Sequence, residues 1–312
     1  MRTYKVGIVG LGKIAHDQHV PVIAANPAFV LAGIASQRGM TIGAVPTFKT
    51  PEEMYAAVPD LDAVAVCTPP QVRYQTALAA LAAGKHVMLE KPPAATLSEL
   101  HELARFADAR KKILFTTWHS QYNAAVAAAK TALAGKRVRR MAVNWKEDVR
   151  RWHPGQKWIW TPGGFGVFDP GINALSIVTR IMPTPIFVRS ADLTFPENCD
   201  APIAATLGFY TGGAGDEDLT AVFDWRQTGP QTWEIVIDTD DGERVHLENG
   251  GARLSIDGNL VIEEQPTEYE QIYERFREIL DAGRSDVDPA PLRLVADAFL
   301  VGRRLSTESF IE

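Results

Sequence analysis

The sequence predicts an α/β protein in two parts. A Rossmann-type, doubly wound parallel sheet is expected over 1–118, and an α+β domain on a largely antiparallel, open sheet over 119–312. Three observations carry this reading. Short apolar runs alternate with helix-patterned segments as far as residue 117, the rhythm of a parallel sheet with crossover helices. A glycine-bearing turn, Gly10-Leu11-Gly12-Lys13-Ile14-Ala15, stands between the first apolar run and the first helical pattern. Near Trp118 the rhythm changes to closely spaced strand-like segments separated by turn residues.

Residues 6–9 are β-branched and apolar on both faces, as a buried parallel strand requires. A helix is expected over 13–25, a strand over 29–35, a short stretch leading to Phe48, and a helix after Pro51. Strand 62–67 ends at Thr68-Pro69-Pro70. Helix 71–83 is alanine-rich and stops at Gly84. Strand 86–89 follows. Thr96 and Glu99 form a capping box for a helix running to about Lys111, and 113–117 is one more strand. Beyond Trp118 a helix is expected over 124–134. Strands are expected over 140–148, 186–193, 204–210, 219–225, 233–239, 244–247 and 253–256. Asp241-Gly242 and Asp257-Gly258 read as hairpin turns. Helices over 267–282 and 290–305 close the chain.

Composition narrows the function classes. With 312 residues, each of two domains can bury its own core. A formal net charge of −6 disfavours nucleic acid and anionic membranes, which require a basic face. The basic run from Lys136 to Arg140 reads as a solvated turn and strand edge. Cys67 and Cys199 stand far apart and form no disulfide framework or CxxC knuckle. The stretch from Met1 to Val6 runs into a strand without a signal-peptide pattern, and no apolar segment is long enough to span a membrane; a cytoplasmic location is expected.

The turn at Gly10 is a dinucleotide signal. Gly10 permits the tight turn, Gly12 lets a pyrophosphate approach the backbone, and Ala15 lets helix pack closely on strand. Lys13, Ile14 and Ala15 open the helix, whose free N–H groups attract phosphate. The end of the second strand reads Ser36-Gln37-Arg38. No carboxylate is present there to hold a ribose 2′-hydroxyl, and Arg38 can clamp a 2′-phosphate, so NADP is expected over NAD. Cys67, Thr68, Pro69 and Pro70 end another strand and border the same crevice.

Three clusters carry possible chemistry. Glu90-Lys91-Pro92-Pro93 follows strand 86–89, at the carboxyl edge where open parallel sheets bind ligands; a solvated turn lysine is the plain alternative. Asp169 and Asn173, after a glycine run from Gly163, are four apart and share a helix face. Asp169 is equally placed to be an N-cap before Pro170. Trp145, Glu147, Trp152, His153, Trp158 and Trp160 combine aromatic faces with carboxylate and imidazole groups, a set that suits a sugar ring. A charged edge strand with core tryptophans is the alternative. His16 and His19 share a helix face with no third ligand, and no metal site is expected. Neither a nucleophile elbow nor a P-loop occurs.

The Gly10 turn, Glu90-Lys91-Pro92 and the Gly-Gly…Asp169-x-Gly171-x-Asn173 cluster together resemble the glucose–fructose oxidoreductase/inositol dehydrogenase (Gfo/Idh/MocA) superfamily over the whole chain. The strings GKIAHDQH, CTPPQVRYQ, GKHVMLEKPP, WKEDVRRWHPGQKWIW and GVFDPGINALSIVTRI are similar to its bacterial aldose 1-dehydrogenases that act on L-arabinose or D-galactose. The resemblance implies oxidation of a pyranose C1 hydroxyl to an aldonolactone, with hydride passing to NADP or NAD. It implies catalytic roles for Lys91, Asp169 and Asn173. It implies sugar contacts for His119, Glu147, Trp152, His153 and Trp233, and a homo-oligomer, a dimer, through the open sheet. Much of the superfamily has His where this chain has Asn173. Asn cannot take a proton, which leaves Lys91 and Asp169 as candidate bases. A different sugar or inositol dehydrogenase, a transient-NAD glycosidase and a non-catalytic nucleotide sensor are the rival readings.

Overall fold

In the computed structural model, residues 2–212 and 217–312 are described; Met1, where the reading of the N-terminus begins, lies outside them. The chain divides into two units. One comprises Met1–Trp118 with Tyr269–Pro289, the other His119–Glu268 with Ala290–Glu312.

The first unit begins with β1 (Tyr4–Val9), then a π-helical turn, Ala15–His19, continuing as α1 (Val20–Ala25). β2 (Phe29–Ala35), β3 (Thr47–Phe48) and α2 (Pro51–Ala57) follow, then β4 (Ala63–Val66) and α3 (Pro70–Ala82). β5 (His86–Leu89), α4 (Leu97–Ala109) and β6 (Leu114–Thr116) complete the run. The six parallel strands are ordered β3-β2-β1-β4-β5-β6. The order reverses direction at β1/β4, and a crevice beyond the carboxyl ends of those strands is where such sheets take ligands. Val6, Ile8, Val64, Val66, Val87 and Leu89 are fully buried, as expected of strands covered on both faces. Thr96 and Glu99 form the capping box on α4, and Gly84, at φ +77°, follows α3.

The second unit contains α5 (Ala124–Leu133), β7 (Val138–Lys146), the single turn α6 (Val149–Trp152) and α7 (Phe168–Ile181). β8 (Ile186–Pro196), β9 (Ala204–Thr211), β10 (Asp218–Asp224), β11 (Thr232–Thr239) and β12 (Arg244–Glu248) come next. β13 (Arg253–Ile256) and β14 (Asn259–Glu263) precede α8 (Glu268–Ala282), which from Tyr269 belongs to the first unit. α9 (Ala290–Val301) and β15 (Arg303–Thr307) end the chain. The nine strands are ordered β14-β13-β12-β11-β7-β10-β9-β8-β15, antiparallel except for β7/β10 and β8/β15. Burial alternates along β10, β11 and β12, so one face is packed and the other half-exposed.

The structure departs from the sequence reading in five places. The expected helix 13–25 contains a π-turn, which separates His16, exposed, from His19, fully buried. The expected helix 290–305 stops at Val301, and Arg303 to Thr307 add a parallel edge strand to β8. Gly302 makes this change of direction, since a Cβ there would meet the Ala298 carbonyl oxygen at 2.4 Å. The Asp257-Gly258 hairpin forms as expected, but its second strand, β14, is not among the expected strands. β7 lies centrally between β11 and β10 and is no edge strand. Residues 269–289, expected in a continuous 119–312 domain, go with the first unit: Tyr269, Tyr273 and Phe276 of α8 are buried there, and Phe276 stacks 6.0 Å from Phe29. Among the described residues, no helix is long and apolar enough to cross a membrane.

Candidate active site

At the carboxyl end of β1, Gly10 adopts φ +91° and donates its N–H to Ala35 O at 2.9 Å. A Cβ there would stand 3.0 Å from the Thr68 nitrogen and its Cγ2. A Cβ on Gly12, by contrast, meets nothing within 4 Å, which leaves the backbone open to an approaching group. His16 N–H bonds back to Gly12 O at 3.0 Å, while Lys13, Ile14 and Ala15 supply the first N–H groups of the helix. Ala15 is fully buried. At the end of β2, Ser36 is buried and donates its N–H to Phe48 O at 2.8 Å. Gln37 and Arg38 are exposed, and Arg38 forms no ion pair among the described residues. A tight turn and an open approach at Gly12 fit a dinucleotide pyrophosphate at the helix N-terminus. Gly10→Ala is expected to weaken binding of a reduced nicotinamide dinucleotide by tenfold or more, read from the dinucleotide's fluorescence. A side chain held at such a φ costs on the order of 1–3 kcal/mol before it meets Thr68. Unchanged affinity would remove Gly10 from the site.

Glu90 follows β5 directly and is 3% exposed. Its Oε1 accepts from the Tyr269 hydroxyl at 2.7 Å and faces His19 Nε2 at 2.9 Å, and its Oε2 accepts the Lys91 N–H at 2.9 Å. His19 Nδ1 lies 2.9 Å from the Tyr273 hydroxyl. Burial works against protonating His19. The surrounding Cys67, Tyr273 and Glu90 outweigh it and hold the imidazole well above its ordinary range. Arg73, also buried, donates to the carbonyls of Thr68, Glu90 and Pro92. One guanidinium therefore ties the chain on both sides of Lys91 and the end of the neighbouring strand. Lys91 itself is half-buried, and Cys67 is a half-buried free thiol whose N–H bonds to Val9 O at 2.8 Å.

Of the residues expected to contact a sugar, His153 and Trp233 lie against Glu147, just beyond β7, and Trp152 lies against Trp233; His119 is not among them. Glu147 is 5% exposed; its Oε1 accepts from Trp225 Nε1 at 3.2 Å and its Oε2 from Trp233 Nε1 at 3.0 Å. His153 stands between two carboxylates, with Nε2 3.5 Å from Glu147 Oε1 and Nδ1 3.7 Å from Asp169 Oδ2. Its ring lies 5.3 Å from Trp225. Trp152 meets Trp233 edge-on at 5.4 Å and remains 39% exposed, an aromatic surface left available beside the charged groups. The charged-edge alternative fails because β7 is central. Its core-tryptophan half survives in Trp145, which is buried.

Asp169 is 3% exposed and lies inside the first turn of α7. It is not the N-cap, a position held by Val167; the glycine run explains the shift. Gly166, at φ +52°, packs so closely that a Cβ would stand 2.3 Å from Pro202 O, and a Cβ on Gly164 would stand 2.2 Å from Trp158 O. Hydrogen bonds Gly166 N to Ile159 O at 3.0 Å and Val167 N to Pro202 O at 2.7 Å fix this approach. The helix N-terminus then supplies a favourable place for the carboxylate. Asn173, one turn on, is half-buried, and its side-chain amide bonds to nothing among the described residues. His119 Nδ1 lies 3.2 Å from Glu268 Oε2. Among the described residues, no three His, Cys, Asp or Glu side chains group as a metal site.

The sequence reading did not single out His19, Arg73, Trp225, Tyr269 or Tyr273 as parts of this machinery. The first three lie in or near motifs already noted, but nothing in the pattern of α8 distinguishes a tyrosine that reaches Glu90 from one that fills a core.

The oxidoreductase family with an NAD-binding Rossmann fold, Gfo/Idh/MocA, matches residues 4–118. The chain is 46% identical over 312 residues to galactose 1-dehydrogenase of Pseudomonas fluorescens, covering 100% of both. A crystal structure of a D-galactose-1-dehydrogenase protein from Rhizobium etli superposes with a TM-score of 0.94 at 54% identity, over 100% of this chain and 99% of that one. A 3-ketoreductase from Actinomadura kijaniata, solved with TDP-benzene and NADP, shares the fold at TM-score 0.81 and 18% identity, over 98% of this chain and 100% of that one.

Proposed function

The chain belongs to the Gfo/Idh/MocA oxidoreductase family, and from that premise we propose that it is an aldose 1-dehydrogenase. It oxidises the C1 hydroxyl of D-galactose, L-arabinose or both to the aldonolactone, with NADP as acceptor. The observation that carries this reading is the Glu147–His153–Asp169 cluster ringed by Trp152, Trp225 and Trp233. Indole faces suit the C–H face of a pyranose, and carboxylate and imidazole groups suit its hydroxyl edge. When bound, the nicotinamide supplies a hydride acceptor. Lys91 and Asp169 are the candidate acceptors of the C1 hydroxyl proton, and Asn173 has an unengaged amide suited to orienting that hydroxyl. Glu147, already accepting two indole N–H groups, acts chiefly by holding Trp225, Trp233 and His153 in place.

L-Arabinopyranose is D-galactopyranose without its hydroxymethyl group, so one pocket can take both; such a group is typically worth about 10- to 200-fold in discrimination. A panel of D-galactose, L-arabinose, D-fucose, D-xylose and D-glucose with NADP and with NAD tests the reading. Reduction of cofactor by galactose or arabinose is expected. Activity confined to an inositol, or cofactor binding with no turnover on any aldose, overturns it. Arg38→Ala is expected to lower kcat/KM for NADP by about tenfold or more, the weight of one charge-assisted contact, and to leave NAD nearly unchanged. A clear NAD preference unaffected by the substitution refutes the NADP assignment. The family reading also carries a homodimer, measurable by sedimentation, and a cytoplasmic location is proposed beside it.

A further inference from the structure

The short segment that presents Trp152 and His153 has little structure of its own. α6 is a single turn, below the length at which a helix holds itself, and Gly155, Gly163, Gly164 and Gly166 follow it. It is tied to its own unit by Val149 N–H to Trp225 O, Asp200 N–H to Trp160 O and Trp152 Nε1 to Gln231 Oε1, and in addition it is held by residues 310–312. The Asn198 side chain clamps Phe310 at two points: Nδ2 donates to Phe310 O, and Oδ1 accepts from Phe310 N, each at 2.8 Å. The Phe310 ring lies 4.7 Å beneath the Arg150 guanidinium and 5.0 Å from Trp160. Arg150 Nη2 donates to Ile311 O at 2.6 Å, and Gly155 N–H donates to the Glu312 carboxylate. Trp160 packs edge-on against Trp225 at 5.1 Å, and Trp225 is the residue that donates its indole N–H to Glu147. Contacts from residues 310–312 thus reach the start, middle and end of 149–160, and through Trp160 they reach the buried carboxylate.

We propose that Phe310, held by Asn198, is a positioning residue for the sugar-binding cluster: the Phe310–Trp160–Trp225 stack and the Arg150 contacts set where Trp152 and His153 stand. This rests on the aldose dehydrogenase reading above. Phe310 does not touch the reacting atoms. It acts by keeping the sugar contacts within the narrow tolerance that productive binding needs, where a displacement of about 1 Å can cost on the order of 100-fold.

The test is the full-length protein carrying Phe310→Ala, with Asn198→Ala as a second variant that removes the clamp without opening an apolar gap. The expected result is a rise of about tenfold in KM for D-galactose, with kcat changed less than about threefold and the NADPH dissociation constant unchanged. Phe310→Tyr is expected to restore KM. Hydrogen exchange across 149–160 is expected to accelerate in both variants. A KM within twofold of wild type in both overturns the proposal, as does a loss that Phe310→Tyr does not repair. Unaltered exchange across 149–160 overturns it irrespective of activity. If wild type oxidises no aldose, the aldose dehydrogenase reading falls; if wild type is active and only the variants fail to respond, the positioning role falls alone.

Discussion

Lys91→Ala is expected to lower kcat on D-galactose or L-arabinose by 100-fold or more while leaving the NADPH dissociation constant within about threefold. The magnitude is that of a lost proton-transfer group, typically about 10²- to 10⁴-fold. The selectivity follows from what holds the backbone at this position. The Lys91 N–H is bonded to Glu90 Oε2, and Arg73 grips the carbonyls of Glu90 and Pro92 on either side. These bonds are made by the backbone and by Arg73, and they survive removal of the lysine side chain. The dinucleotide elements at Gly10, Gly12 and Arg38 belong to other loops, and none of their described contacts involves Lys91. Lys91→Met, which keeps most of the volume, separates packing from proton transfer: it is expected to be as inactive as the alanine variant. Steady-state kinetics and a fluorescence titration of NADPH measure both quantities. Turnover within tenfold of wild type refutes the role, and a large rise in the NADPH dissociation constant reassigns Lys91 to cofactor binding.

Much of this arrangement was legible in the sequence because it depends on local signals. The β-branched runs, the capping box at Thr96 and Glu99, and the Asp-Gly hairpins all act over a few residues, and each produced the expected element. Misread elements were those in which a distant partner decided the outcome. Arg303 to Thr307 continue a helical pattern but gain an edge-strand partner in β8. At Asp169 the shared helix face with Asn173 stands and only the N-cap alternative, suggested by the following proline, fails. The contacts of Gly164 and Gly166 with Trp158 and Pro202 start the helix two residues sooner. At the candidate site, the residue types were readable and their assignments to one another were not. Glu147 was identifiable as a carboxylate among tryptophans. That it accepts from two of them, contributed by the end of β10 and by β11, depends on sheet register that no spacing reveals. Glu90 was identifiable beside Lys91, yet two of its partners, His19 and Tyr269, lie 71 and 179 residues away.

That last network gives the largest expected effect on stability. Glu90→Ala is expected to destabilise the protein by about 3–5 kcal/mol, the usual cost of removing one member of a buried, hydrogen-bonded charge pair. Three groups lose an acceptor at once: the His19 ring, the Tyr269 hydroxyl and the Lys91 N–H, in a region where His19 and Tyr273 are fully buried and water has no access to replace it. A urea midpoint measured without cofactor reports the loss, and a change below about 1 kcal/mol would show that the group is not paired as described. His19→Gln divides the effect by mechanism, because glutamine keeps an N–H donor but no charge. The folded-state pKa of His19 is raised above that of an unfolded histidine, near 6.5. The folded protein therefore binds this proton more tightly than the unfolded chain. The stability so gained is complete below about pH 6.5 and is lost as pH rises through the folded-state value. The gap in stability between wild type and His19→Gln is accordingly expected to be widest in mild acid and to narrow on the alkaline side. A gap that widens with pH instead would mean that His19 is held neutral, donating to Glu90 from Nε2 and accepting from Tyr273 at Nδ1. In either state the ring joins the π-turn that opens the dinucleotide helix to the carboxylate that anchors Lys91, so loss of Glu90 is expected to lower kcat as well as stability.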